Sequence, residues 1–185
     1  MKDNMKFSLK ITGQVTLLCL AAFLVFGIQI AVVGSGKEQM LMMNPFISGF
    51  LHAGVTHFLL NIVLIFLAML APINRSYNIE KIFWITTLLS ILYLPVPLSG
   101  ATLPAIGISG TCYFFLARYF FTWKNRHKLG VSIILLFAFA ELVAIPHLED
   151  NTAHGVHLMG IPLGYLSLSP KLHKIMPNWL YLKVA

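Results

Sequence analysis

Apolar and polar positions alternate in long blocks along this chain. Six predominantly apolar segments are separated by short polar or basic stretches, and they lie at residues 11–33, 52–71, 82–98, 104–121, 131–145 and 152–168. Each approaches the roughly 20 residues that an α-helix needs to cross about 30 Å of hydrocarbon. A helix also satisfies its own backbone hydrogen bonds, as a bilayer requires. The pattern therefore predicts an all-α, polytopic membrane protein with six transmembrane helices in one bundle.

The composition excludes an ordinary soluble domain. Of 185 residues, 58% are hydrophobic and only 10% are charged, whereas about 25% is typical of soluble domains. Cys19 and Cys112 both fall inside apolar segments, so no disulfide framework or zinc cluster is indicated. The first apolar segment exceeds the roughly 7–15 residues of a signal peptide, so we expect it to be retained. We divide the chain into a cytoplasmic segment (1–10), a six-span membrane domain (11–169) and a cytoplasmic or interfacial tail (170–185).

The net charge is +7. The basic residues cluster in the short connections, so they indicate the orientation of the chain in the membrane rather than a nucleic-acid-binding surface. With the N-terminus inside, the outer connections hold only Lys37, and Arg118 lies near the inner end of the fourth segment, where its long side chain can reach the interface. This distribution predicts a multi-pass protein with both termini cytoplasmic, in a bacterial inner (plasma) membrane. The cytoplasmic side holds Lys2, Lys6, Lys10, Arg75, Lys81, Lys124, Arg126, Lys128, Lys171, Lys174 and Lys183.

Polar residues from three segments are predicted to meet at one depth. The second, fourth and sixth segments all enter from the outer side, where they carry His57 and Asn61, then Ser109, then His154 and His157. We expect Ser109 about one to two turns inside its helix. A single serine or histidine in such a helix is usually a packing residue that bonds its own helix or a neighbour. Convergence of several at one level indicates a site that faces the protein interior or a water-filled cavity.

The spacing of these residues resembles that of the rhomboid family of intramembrane serine proteases. The resemblance covers about residues 11–168 and consists of three motifs that occur in order on the second, fourth and sixth segments. They are His-x4-His-x3-Asn at His52, His57 and Asn61; Gly-x-Ser-Gly at Gly107, Ser109 and Gly110, followed by Tyr113; and His-x2-Gly-x3-Gly at His157, Gly160 and Gly164.

The resemblance implies a rhomboid-like bundle and a serine endopeptidase that cleaves transmembrane protein substrates within the lipid bilayer. Ser109 would be the nucleophile and His157 its base. Since the fourth and sixth segments carry no acidic residue near the site, we predict a Ser–His dyad, with the Tyr113 ring stacked on His157. His57, Asn61 and the Ser109 backbone N–H would stabilise the oxyanion. We expect Gly160 and Gly164 to let the sixth helix approach the fourth closely.

Several departures and alternatives stand beside this interpretation. The connection at residues 34–45 is short and lacks a Trp-Arg pair, and Phe114 stands where a small residue is usual. His154 is a rival base, although only His157 has the motif spacing. The chain could instead be an inactive rhomboid-like protein that binds membrane proteins. A metal or haem site built from His52, His57, His154 and His157 is disfavoured because a five-residue spacing does not suit helical ligands. We predict no metal, cofactor or nucleic-acid partner.

Overall fold

The structure, a computed structural model, describes residues 2–26, 46–52, 54–93, 107–123, 127–144 and 154–169. All regular structure in these ranges is helical. Two short 3-10 turns, Ser48–Phe50 and Pro72–Asn74, accompany six helices. The helices are α1 (Lys2–Phe26), α2 (Val55–Met69), α3 (Ile79–Tyr93), α4 (Ser109–Phe121), α5 (His127–Ala144) and α6 (His154–Leu166).

Each predicted apolar segment overlaps one of these helices, but the boundaries differ. Helix α1 begins at Lys2 rather than near residue 11, since no helix-breaking residue interrupts residues 2–12. Among the described residues, the stretch Lys2–Leu24 is long and apolar enough to cross a membrane, and α2 is a shorter apolar helix. The predicted tail, residues 170–185, and the connection at residues 34–45 lie outside the described ranges.

Helix α4 forms the centre of the bundle. Nearly all of its residues from Ser109 to Arg118 are buried, and it packs against α2, α3, α5 and most extensively α6. Phe115, fully buried, contacts the edge of the Tyr77 ring with centroids 4.5 Å apart. Phe114 also packs on Tyr77, so this departure from the rhomboid pattern fills the core.

Large apolar side chains cover much of the outer surface of the described helices. Leu24, Leu60, Leu136 and Phe139 are each more than half exposed. Apolar exposure on this scale is unusual for a protein surrounded by water. It is the arrangement expected where the surroundings are as apolar as the core.

Arg118 lies inside the bundle, so the prediction that its side chain extends to the interface is wrong. Only 2% of the residue is exposed. Its guanidinium donates to the Asn74 side chain (3.1 Å), to the Ser167 hydroxyl (2.5 Å) and to the Ile73 carbonyl (3.3 Å). It also lies 4.8 Å from the centre of the Tyr77 ring. These partners satisfy the buried cation and join α4 to the turn after α2 and to the end of α6.

Candidate active site

Ser109 is the first residue of α4, not one to two turns inside it as predicted. Gly107 has a φ of 95°, in the left-handed region that favours glycine. Its N–H donates to the Ser48 carbonyl at 3.0 Å, which ties this turn to the segment before α2. Ile108 caps the helix without a side-chain hydrogen bond. The first N–H groups of α4 therefore point out of the helix end without an intrahelical acceptor.

Glycines bring the backbones of α4 and α6 into contact. A Cβ atom on Gly160 would lie 2.4 Å from the Gly110 carbonyl oxygen, and one on Gly164 would lie 2.4 Å from the Phe114 carbonyl oxygen. A Cβ atom on Gly110 would lie 2.3 Å from the Val156 side chain. No side chain larger than hydrogen fits at these positions without movement, so the close approach depends on the glycines.

The close approach places Ser109 and His157 within hydrogen-bond distance. The Oγ atom of Ser109 lies 2.6 Å from Nε2 of His157. Both residues are buried, with 6% of each exposed. His154, the rival base, instead directs its Nδ1 atom toward a carboxylate on α5. The geometry therefore pairs the serine with His157.

Tyr113 lies one turn after Ser109 on the same face of α4. Its ring is parallel to the His157 imidazole, with an interplanar angle of 4° and centroids 4.5 Å apart. Its hydroxyl donates a hydrogen bond to Glu141 on α5. The Tyr113 side chain thus supports the imidazole from one face and reaches past it to a carboxylate.

His57 and Asn61 lie together on α2 beside the turn that precedes Ser109. A Cβ atom on Gly107 would lie 2.8 Å from Cε1 of His57 and 3.4 Å from Nδ2 of Asn61. Asn61 is 2% exposed, and its Nδ2 has no hydrogen-bond partner within the described part of the chain. His52 packs edge-on against His57 and bonds the Phe50 carbonyl at 3.2 Å. The side chains of His57 and Asn61, both able to donate hydrogen bonds, therefore line the Ser109 end of α4.

Glu141 is a site residue that the sequence analysis missed. One carboxylate oxygen lies 2.6 Å from Nδ1 of His154, and the other lies 3.0 Å from Nδ1 of His157. The second contact is not a hydrogen bond, since Nδ1 of His157 has no hydrogen-bond partner among the described residues. The sequence did carry a signal: Glu141 is the one acidic residue in the apolar segment 131–145. In the predicted topology the fifth segment runs outward, so this residue near its end falls at the predicted depth of the site.

Glu141, His154 and His157 also form a group that could hold a metal ion, with ligand atoms within 4.8 Å of one another. This group is not the set of four histidines considered from the sequence, since it omits His52 and His57. The 2.6 Å contact between Nδ1 of His154 and Glu141 is a hydrogen bond, and Glu141 also accepts a hydrogen bond from the Tyr113 hydroxyl. The polar contacts already present therefore account for the cluster.

A comparison with known protein families agrees with this geometry. Residues 39–173 match the rhomboid domain. The chain belongs to the rhomboid family. Its membership identifies it as an integral membrane protein, and the matched region contains α2 to α6. No curated protein and no solved structure matches the chain. Rhomboid proteins are usually intramembrane serine proteases, although inactive members exist.

Proposed function

We propose that this rhomboid protein is an intramembrane serine endopeptidase with Ser109 as nucleophile and His157 as general base. The observation that carries the proposal is the 2.6 Å contact between the Ser109 hydroxyl and Nε2 of His157. A serine hydroxyl is a poor nucleophile until a base takes its proton, and histidine is the side chain suited to do so near neutral pH.

The reaction follows from this contact. Ser109 Oγ attacks the scissile carbonyl carbon while its proton passes to His157 Nε2. The tetrahedral intermediate then collapses, the peptide C–N bond breaks, and His157 returns the proton to the leaving amine. A water molecule, deprotonated by the same nitrogen, hydrolyses the acyl-enzyme and regenerates Ser109.

The developing oxyanion would be stabilised at the start of α4. The free backbone N–H groups there carry the positive end of the helix dipole. His57 and the buried amide of Asn61 lie beside this helix end and supply side-chain donors. Donors that are held in place before the reaction stabilise the transition state without reorganisation.

The proposed substrates are transmembrane helices of other proteins. A peptide bond inside a helix is protected by hydrogen bonds, so a cleavable segment must unwind easily and should contain small or helix-breaking residues. We further propose six membrane crossings in a bacterial plasma membrane, with both termini cytoplasmic and the site near the outer face. The one-sided distribution of lysine and arginine supports this topology.

Labelling by a fluorophosphonate probe tests the nucleophile without knowledge of the substrate. We expect the purified protein to be labelled and Ser109→Ala to be unlabelled. His157→Ala should lower the labelling rate at least about 100-fold, as expected for loss of a general base. Cleavage of a model transmembrane substrate should be lost in the same variants.

Ser90→Ala is the matched control. Ser90 is also a buried serine in a helix, but its hydroxyl donates to the Thr86 carbonyl at 2.9 Å. This variant should be labelled as fast as the unmodified protein. A folded wild-type protein that is never labelled would favour the alternative, a rhomboid protein that binds membrane proteins without cleaving them.

A further inference from the structure

Glu141 occupies a place that the Ser109–His157 pair alone does not explain. Its carboxylate accepts a hydrogen bond from the Tyr113 hydroxyl, lies 2.6 Å from Nδ1 of His154 and lies 3.0 Å from Nδ1 of His157. Only 8% of the residue is exposed. It therefore touches the proposed base on the side opposite Ser109, and also the aromatic ring stacked on that base.

The apolar surroundings of Glu141 make burial of its carboxylate unfavourable unless polar groups contact it. Among residues 128–143 of α5, only Gly130, Ile134 and Glu141 are buried. The two residues that follow, Leu142 and Val143, are at least half exposed, as expected for an apolar outer face. Burying an acidic side chain in such a helix costs free energy, and polar partners inside the protein have to offset this cost.

We propose that Glu141 is a positioning residue for catalysis, so that the site is a Ser109–His157–Glu141 assembly rather than a dyad. The inference rests on the proposed protease function. A neutral imidazole carries one proton, and the negative charge of a carboxylate 3.0 Å from Nδ1 favours the tautomer that has the proton on that nitrogen. Nε2 is then free to accept the proton of Ser109.

The same carboxylate faces the positive charge that His157 gains during the reaction. When Nε2 takes the serine proton, the imidazolium forms 3.0 Å from the Glu141 oxygen. Opposite charges at this distance in a buried site attract strongly. Glu141 also orients the Tyr113 hydroxyl, and through it the ring that supports His157. Both effects act through His157, since Glu141 itself does not touch Ser109.

The simpler possibility is that Glu141 only ties α5 to α6 through His154. The two roles differ in what they affect. A tie between helices stabilises the fold and the substrate-binding surface together, whereas a positioning residue changes the chemical step. The ratio between effects on kcat and on KM therefore separates them.

The experiment compares wild type, Glu141→Gln and Glu141→Asp in cleavage of a model transmembrane substrate, with the fluorophosphonate labelling rate and the unfolding temperature measured in parallel. Glutamine keeps the shape of the side chain but removes the negative charge. We expect kcat and the labelling rate to fall at least about 30-fold with KM within about two-fold. This loss is smaller than the roughly 10⁴-fold loss seen in serine protease triads, because the Tyr113 ring still supports His157. Glu141→Asp should recover part of the labelling rate.

Other results would overturn the proposal. Glu141→Gln with kcat within about three-fold of wild type would show that the carboxylate is not needed. If Glu141→Gln lowers kcat, substrate affinity and the unfolding temperature together, and Glu141→Asp recovers none of them, Glu141 only connects α5 to α6. If wild type itself is neither labelled nor able to cleave, the proposed function fails and this inference falls with it.

Discussion

Asn61 shows how a single side chain is held ready for the proposed reaction. Its amide is buried on α2 next to Gly107, and its Nδ2 has no hydrogen-bond partner among the described residues. A buried donor left unpaired costs about 1–3 kcal/mol. Such a donor is explained if an acceptor, here the oxyanion, forms beside it during the reaction.

Asn61→Ala is therefore expected to lower kcat about 100-fold or more, the loss typical of one missing oxyanion donor. Because the donor is used in the transition state, KM should change little. Steady-state cleavage of a model transmembrane substrate measures both constants. The unfolding temperature provides the control, and it should fall little, since the amide loses no hydrogen-bond partner among the described residues. An unchanged kcat would exclude Asn61 as an oxyanion donor.

The sequence alone identified the site residues that belong to the three rhomboid motifs or lie one helical turn from them. Ser109 and Tyr113 are four residues apart, so their shared face follows from helix geometry alone. Glu141 could not be linked to them in this way. Its contacts come from α4 and α6, and they depend on how three helices pack, which periodicity in one segment does not specify.

At the scale of elements, the contact between α4 and α6 determines the distance between Ser109 and His157. The two helices touch through backbone atoms at Gly110, Gly160 and Gly164. In a bilayer no hydrophobic force drives helices together, so close van der Waals packing carries much of their association. Anything that separates these backbones also separates the nucleophile from its base.

Gly160→Ala should destabilise the protein by about 1–3 kcal/mol, the usual cost of overpacking a close-packed site. The added Cβ would lie 2.4 Å from the Gly110 carbonyl oxygen. Cleavage activity should fall with it, because α6 must move away from α4. Unfolding in detergent and the fluorophosphonate labelling rate measure the two effects.

Gly13→Ala is the matched control for this substitution. Gly13 also lies within a helix, but a Cβ atom there would meet nothing within 4 Å. Alanine is favoured over glycine in a helix by about 0.5–1 kcal/mol. This variant should be as stable as wild type or slightly more stable, and fully active. Equal behaviour of the two variants would contradict the packing argument.

At the scale of the whole molecule, the number and order of helices followed from the apolar segments, but their ends did not. Helix α4 begins where Gly107 turns and bonds Ser48, a residue about 60 positions earlier in the chain. The prediction that Arg118 reaches the interface rested on its position near the inner end of its segment. Its partners Asn74 and Ser167 belong to distant parts of the chain, so only the folded bundle shows why the cation is buried.

The proposed topology gives an expected result of its own. Reporter fusions after Lys183 and after Arg126 should report a cytoplasmic location, for example by fluorescence of a fused green fluorescent protein. A fusion after Lys37 should report the outer side, for example by alkaline phosphatase activity. The physical reason is the excess of lysine and arginine in the connections assigned to the cytoplasm. A cytoplasmic signal at Lys37 would contradict six crossings with this orientation.

Helix α5 is attached to the bundle by few buried residues. In its C-terminal half Phe137 packs against the Tyr113 ring, and Glu141 contacts His154 and His157. The contacts of Glu141 therefore contribute both to the attachment of this half of the helix and to the arrangement of His157. Thermodynamic linkage between two such events is reciprocal. If docking of α5 favours the active arrangement of His157, then a modification of Ser109 that displaces His157 must weaken the docking of α5 by the same free energy.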